Sequence, residues 1–313
     1  MEEKKNVELT KKKTSKVRAR MSFYLLLTLI LTVLATIAES FVLKIGYDYR
    51  LGVYSATNPI GKITAYFIFV SVLVLFSSAF AIDKSLDSKV RGFYACTVQE
   101  AFFASVSGGL VLAYSVMTYL NRFEKAGGSL LPTLILIFSF PMAGYLIFTA
   151  LSKKRCSRVL TGLGFFPVIW TSVCLLRIYF DRTSAINNPI KIFTQISLVA
   201  IMLYFLVELR FRVGRPSVGI YIALSSVASL LGISNSTSLL IAEFTSSEKL
   251  SNEVILSFAE FFISFYILMR LVNFVVSMKT KRTLVRGVSQ RFRLPDGKTC
   301  FKEQKSSDEG EPL

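Results

Sequence analysis

The chain of 313 residues is 52% hydrophobic, 18% charged and carries a formal net charge of +17. Its mean hydropathy of +0.53 exceeds that of ordinary soluble domains and indicates a polytopic membrane protein. The positive charges form short clusters between long apolar runs, a pattern typical of membrane loops and not of a nucleic-acid-binding surface.

The composition also argues against several kinds of chemistry. The chain has no histidine, so it lacks the commonest general base and the commonest metal ligand near neutral pH. Its four cysteines show neither CxxC pairing nor zinc-ligand spacing, and no zinc-protease or serine-histidine motif is present. We therefore expect no cofactor, no metal centre and no enzymatic activity.

Eight apolar runs approach or exceed the length of about 20 residues that a helix needs to cross a bilayer. In chain order they cover residues 21–43, 63–82, 98–120, 130–151, 159–180, 191–209, 217–240 and 254–277. The seventh run is the least regular, because the polar sequence GISNSTS at 232–238 interrupts it and is compatible with an external loop. Pro141 and Pro167 lie inside the fourth and fifth runs and permit kinks there.

The distribution of basic residues predicts the orientation. Lys and Arg concentrate in the cytoplasmic loops of membrane proteins. With a cytoplasmic N-terminus, 27 of the 37 basic residues fall in cytoplasmic segments and 8 in external loops. The sequence therefore predicts an all-α bundle of eight transmembrane helices with both termini in the cytoplasm. The Lys- and Phe-rich composition and short loops suggest a bacterial cytoplasmic membrane.

The first run has a second interpretation, as a secretory signal sequence. It combines a basic region, an apolar core at 23–34 and a small-residue site at 36–38. Cleavage would leave seven spans. The long basic region and the continuation of the apolar run through 41–43 favour a retained helix instead.

Two polar tails flank the transmembrane domain at 21–277. Residues 1–20 form a basic cytoplasmic tail, and residues 278–313 form a second tail that is first basic and then polar. Their composition predicts disorder, although 279–293 is also compatible with a basic helix on anionic lipid. The same basic segment is the candidate contact surface for a cytoplasmic protein partner.

Ionisable side chains inside a bilayer are costly, so they are the first candidates for function. Glu208 lies one turn before Arg212 at the end of the sixth run, which predicts an interfacial ion pair of little consequence. Arg177 and Arg270 have long side chains that can reach the lipid head groups. For both arginines a structural interpretation therefore stands beside a functional one.

Glu39 and Glu260 have shorter side chains and cannot reach the head groups as easily. Each shares a helical face with hydroxyl side chains: Thr32 and Thr36 with Glu39, and Ser257 and Ser264 with Glu260. Both polar faces are expected to contact protein or water.

Counting residues from the helix ends places these groups in two layers. Glu39, Glu260 and Arg177 fall in the outer layer, where an arginine-bridged carboxylate pair would bind an ion or a proton. A static buried pair that fixes helix packing is the alternative. Glu100, at the inner end of the third run, is predicted to border an inner layer together with Arg270.

Two functions from different classes follow from these residues. The first is a small permease or channel-like transporter whose carboxylates bind a proton or cation during alternating access. The second is a membrane sensor or accessory subunit that binds a lipid or small ligand and acts through a cytoplasmic partner. The sequence itself does not indicate the oligomeric state.

Overall fold

The computed structural model describes residues 2–48, 53–54, 59–80, 92–94, 96–121, 130–151, 158–181, 187–213, 217–245, 254–280 and 284–286. The helices within these ranges are α1 (Glu2–Ile45), α2 (Ile60–Phe80), α3 (Val98–Leu120), α4 (Leu130–Leu151), α5 (Arg158–Leu163), α6 (Phe166–Phe180), α7 (Pro189–Val213), α8 (Val218–Thr245) and α9 (Val254–Thr280). The strands are β1 (Tyr47–Asp48), β2 (Val53–Tyr54), β3 (Gly92–Tyr94) and β4 (Leu284–Arg286).

Eight segments of this helical bundle are long and apolar enough to cross a membrane. The third and fourth, α3 and α4, coincide with the predicted runs at 98–120 and 130–151. The seventh, α8, continues without interruption to Thr245, so the suggested external loop at 232–238 is wrong. The chain is an all-α, multi-pass membrane protein.

Regular structure extends into both tails. Helix α1 begins at Glu2 and runs into the first span. Helix α9 ends at Thr280, and β4 pairs antiparallel with β3 in the loop before α3. The predicted disorder of residues 287–313 lies outside the described part of the chain.

The fifth span is divided into two helices, and the cause lies in its sequence. Helix α5 ends at Leu163, and α6 begins at Phe166 with Pro167 in its first turn, where a proline is tolerated. A Cβ on Gly164, between the two helices, would lie 3.0 Å from the Leu209 side chain. Pro141, by contrast, stays inside the continuous helix α4.

Six helices pack side by side in a closed ring, in the order α3, α4, α6, α7, α8, α9 and back to α3. Each contributes a large aromatic side chain that is at most 2% exposed: Tyr114, Tyr145, Trp170, Tyr204, Tyr221 and Tyr266. Helix α1 packs outside this ring against α8 and α9, and α2 packs against α1 and α8. The centre of the ring is therefore filled with side chains.

Helix α8 is the most enclosed span, with 83% of its apolar window buried. Small residues line it, which allows four neighbouring helices to approach closely. The hydroxyls of Ser225, Ser226 and Ser229 are satisfied by carbonyls one turn earlier in the same helix. Its polar composition is thus compatible with burial in a membrane.

Candidate functional site

Two clusters of polar side chains lie buried in the bundle. We call the first the carboxylate site; it comprises Glu39, Thr194, Ser197, Gly232, Ser234, Asn235, Glu260 and Ser264. We call the second the charge network; it comprises Glu100, Tyr145, Glu208, Arg212, Tyr266 and Arg270. Helices α7 and α9 contribute residues to both clusters.

Glu260 of α9 is 1% exposed and is held by a side-chain amide of α8. The Nδ2 atom of Asn235 donates to both carboxylate oxygens of Glu260, at 3.2 and 3.1 Å. The same nitrogen lies 3.3 Å from Thr194 Oγ1 on α7, and Ser197 of α7 also lies beside Glu260. Three helices of the ring thus meet at this carboxylate.

Glu39 of α1 approaches the same region from outside the ring and is 4% exposed. Ser234 of α8 lies beside its carboxylate, and its charge interacts with that of Glu260. Its Oε2 atom is buried without a hydrogen-bond partner. The predicted approach of Glu39 to Glu260 is therefore present.

A short β-hairpin lies next to this end of the bundle. Tyr47 Oη donates to Asn188 Oδ1 over 3.1 Å, which ties the segment after α1 to the start of α7. Tyr54 packs over Gly61, and burial and the nearby Glu39 carboxylate raise the pKa of its hydroxyl well above the usual range. The hairpin therefore lies beside Glu39, at the edge of the carboxylate site.

The predicted arginine bridge is wrong. Arg177 donates to Tyr114 Oη and to Thr118 Oγ1, so its guanidinium is bound to α3. The direction of Arg177 around the helix axis depends on how α6 packs against its neighbours, which the sequence of α6 does not reveal. Among the described residues, the contacts of Glu39 and Glu260 include no Lys or Arg.

The predicted pair of the inner layer is present. Arg270 Nη1 on α9 donates to Glu100 Oε2 on α3 over 3.3 Å, and Glu100 is fully buried. Glu100 also closes a capping box with Thr97 at the start of α3. The pair therefore joins the first turn of α3 to the middle third of α9.

The charge network extends to a second ion pair. Arg212 Nη2 lies 3.0 Å from Glu208 Oε1, and Arg270 Nε lies 3.9 Å from the same oxygen. Tyr266 Oη donates to Glu208 over 3.2 Å, while Arg212 Nε donates to Tyr145 Oη over 3.0 Å. Two carboxylates and two guanidinium groups thus form one connected, electrically balanced cluster.

Two sequence-based expectations fail at this network. Glu208 and Arg212 do pair, but they are 0% and 4% exposed, so the pair is buried between helices and is not the ion pair of little consequence that was expected. Arg270 is 5% exposed and does not extend to the membrane surface. Glu208 draws both arginines inwards because each can satisfy a buried carboxylate.

The hydroxyls predicted to support Glu39 have other partners. Thr32 and Thr36 donate to backbone carbonyls one turn earlier in α1, over 2.8 Å each. On α9, Ser257 is 8% exposed and Ser264 is fully buried. Of these four residues, Ser264 alone has a buried hydroxyl without a hydrogen bond, which makes it the best candidate for contact with a ligand.

Cys96 lies beside the charge network, just before α3, and is partly buried. Burial, and to a smaller extent the Glu100 carboxylate, raise the pKa of its thiol to about 12. The group therefore stays a thiol at neutral pH and is a poor nucleophile.

Several residues of the two clusters were not identified as functional candidates from the sequence: Thr194, Ser197, Gly232, Ser234, Asn235, Glu208, Arg212, Tyr145 and Tyr266. Asn235 gave the clearest signal, because an amide inside an apolar run of sufficient length to span a membrane needs a buried partner. The adjacent Gly and Ser residues made that stretch resemble a loop.

The two clusters lie at different depths. Glu260 and Arg270 are ten residues apart on α9, which corresponds to about 15 Å along the helix axis. Apolar residues such as Ile263 and Ile267, both buried, lie between them. The carboxylate site and the charge network are therefore separated by roughly half the thickness of a bilayer core.

Comparison with known protein families, curated proteins and solved structures found no match. The geometry of the two clusters is accordingly the basis for a functional interpretation.

Proposed function

We propose that this protein is a small membrane permease or channel-like transporter in which Glu39 and Glu260 bind a proton or cation. The observation that supports this most is the carboxylate site itself. Two buried acidic side chains from different helices approach each other there with only uncharged hydrogen-bond donors among their described contacts. Such an arrangement attracts a positive charge from outside the protein.

The arrangement of the two clusters supports alternating access. Coupling-ion sites of secondary transporters lie within the bundle and are closed from one side at a time. The charge network, at the other depth, joins α3, α7 and α9 through ion pairs and in this role would close the opposite side. We place both termini in the cytoplasm of a bacterial cell, which puts the carboxylate site nearer the external face.

The test uses purified protein in liposomes with a trapped pH indicator and, separately, a trapped cation indicator. We expect flux driven by an imposed ion gradient, and we expect Glu39→Gln and Glu260→Gln each to reduce it by about tenfold or more. Glu243→Gln is the matched control, because Glu243 lies near the end of α8 away from the site. Unchanged flux in both site variants would contradict the proposal.

A second function is favoured by a separate observation, the pairing of β4 with β3. This contact joins the basic segment after α9 to the loop that leads into Glu100 on α3. In a sensor or accessory subunit, a rearrangement of the charge network would move the loop before α3. The β3–β4 pairing would transmit that movement to the basic segment and to a cytoplasmic partner bound there. Ion binding at Glu260 without any flux in liposomes would favour this alternative.

A further inference from the structure

Three oxygen atoms of the carboxylate site have no hydrogen bond of normal geometry: Glu39 Oε2, Ser197 Oγ and Ser264 Oγ. All three side chains are at least nine-tenths buried. Buried polar atoms in proteins are almost always satisfied, by protein, by ordered water or by a bound ion. The described residues include other such atoms, among them Glu100 Oε1 and Glu208 Oε2 of the charge network, where ion pairs balance the carboxylates. In the carboxylate site no described cation balances the charge, so the three atoms there point to a missing ligand.

Gly232 brings two of these atoms together. A Cβ at this position would collide with the hydroxyl of Ser264 and would lie 3.5 Å from Ser197 Oγ. The hydroxyl of Ser264 occupies the position that a β-carbon would take, so hydroxyls from α7 and α9 converge on this face of α8. Because side chains from three helices meet there, a ligand of these oxygens is a small ion and not an organic molecule.

Asn235 lies less than one turn beyond Gly232 on α8, and it holds Glu260 on the same side of the helix as these hydroxyls. Its Nδ2 atom bonds to both carboxylate oxygens but adds no charge. The site therefore presents carboxylate and hydroxyl oxygens, which are the ligands that hard metal cations take. A proton on one carboxylate would supply one donor and would not by itself satisfy Glu39 Oε2, Ser197 Oγ and Ser264 Oγ together.

We propose that the ligand of this site is a dehydrated monovalent metal cation of the size of Na⁺, bound by Glu260, Ser197 and Ser264 with Glu39 as a further oxygen ligand. This deepens the proposed function and rests on it. A divalent ion fits less well, because Ca²⁺ takes six to eight oxygen ligands and Mg²⁺ retains several waters. The described residues also contain no group of three or more His, Cys, Asp or Glu side chains that could hold a metal ion.

The experiment measures binding of radioactive sodium to the purified full-length protein in lipid nanodiscs, with choline chloride keeping the ionic strength constant. We expect saturable binding that unlabelled Na⁺ displaces better than K⁺, Ca²⁺ or choline. Ser264→Ala and Ser197→Ala should each weaken it by about tenfold or more, because each removes an oxygen ligand.

Gly232→Ala tests the position of the Ser264 hydroxyl without removing an oxygen ligand. It should abolish sodium binding because the added methyl group collides with Ser264. Two control variants make the same kinds of substitution outside the carboxylate site. Ser225→Ala removes a buried hydroxyl that bonds to Tyr221 of its own helix, and Gly109→Ala adds a methyl group where nothing lies within 4 Å. Both controls should bind sodium like the unmodified protein.

Measurements of sodium binding and of ion flux distinguish the sodium site from the proposed transport function. Saturable sodium binding that Ser264→Ala weakens, in a protein without flux, would support the cation site and contradict transport. Proton flux that depends on Glu260, persists in choline and is unaffected by Ser264→Ala would support transport and overturn the sodium site. Absence of saturable sodium binding in a folded protein overturns the site directly.

Discussion

The carboxylate site and the charge network each contain two buried glutamates, yet they differ in how the negative charge is balanced. In the charge network Arg212 and Arg270 lie within 4 Å of Glu208 or Glu100. In the carboxylate site the described partners of Glu39 and Glu260 are uncharged. The same residue type is thus internally balanced at one depth and not at the other.

This difference separates two reasons for burying an acidic group. A balanced pair is satisfied within the fold, and its removal leaves an uncompensated charge in a medium of low dielectric constant. An unbalanced carboxylate costs free energy in the resting protein, and it is compensated when a cation binds. We therefore expect mutations of the network to affect stability most, and mutations of the carboxylate site to affect binding.

The largest expected effect on stability is that of Arg270→Met. The substitution keeps a long side chain but removes the charge 3.3 Å from the fully buried Glu100. Breaking a buried ion pair from one side typically costs about 3–5 kcal/mol, and we expect a loss of that order. Thermal unfolding in detergent measures it.

The matched control is the double variant Arg270→Met with Glu100→Gln. Because it removes both charges of the pair, it should recover much of the stability lost in Arg270→Met alone. If the double variant were as unstable as the sum of the two single variants, Arg270 and Glu100 would not act as a pair.

A smaller effect is expected for Tyr266→Phe. The hydroxyl donates to Glu208 over 3.2 Å, and both residues are fully buried. Hydrogen bonds to charged groups contribute about 1.5–3 kcal/mol, so we expect a loss of about 2 kcal/mol in the free energy of unfolding. Sodium binding should be unchanged, since the hydroxyl belongs to the charge network. A weakened sodium site would show that the two clusters are coupled.

Much of this fold could be predicted from the sequence, because a membrane span requires only length and apolar composition. Helices α3 and α4 illustrate this, since both coincide with the predicted runs. The contact of Glu100 with Arg270 was also predictable, because counting along straight helices places both at one depth. Local and one-dimensional properties were therefore predicted well.

The predictions that failed depend on the rotation of each helix about its axis and on which helices pack beside it. Arg177 is directed to Tyr114 on α3 and not to the carboxylates of Glu39 and Glu260. Asn235, amid Gly and Ser residues, resembles part of a loop, yet in the bundle it occupies the buried face of α8. Glu208 looked exposed beside a helix end because nothing in its own segment reveals that α9 brings Arg270 to it.

The hydroxyl of Tyr47 offers a comparison with Tyr266 at the other end of the bundle. Tyr47 donates to the neutral Asn188 over 3.1 Å and is only partly buried. Tyr47→Phe should therefore cost only about 0.5–1 kcal/mol in unfolding free energy. Because the bond holds the hairpin beside the carboxylate site, we also expect faster exchange of bound sodium in this variant, measured by the dissociation rate of the radioactive ion. An unchanged dissociation rate would show that the hairpin does not limit access.

The smallest change in stability is expected for Glu260→Gln, and this result tests the comparison most directly. The substitution retains an oxygen that can accept from Asn235 Nδ2, and among the described contacts it leaves no cation unpaired. In sodium-free buffer the unfolding free energy should stay within about 1 kcal/mol of that of the unmodified protein, or rise, because an uncompensated buried charge is removed.

Glu100→Gln is the matched substitution in the charge network. It leaves the buried Arg270 with a neutral partner and should cost about 3 kcal/mol, measured by thermal unfolding of both variants in the same detergent. Addition of sodium should then stabilise the Glu100→Gln protein but not the Glu260→Gln protein, since only the former retains the binding carboxylate. Equal losses in the two variants without sodium would mean that Glu260, like Glu100, is balanced within the fold, and the distinction between the two clusters would fail.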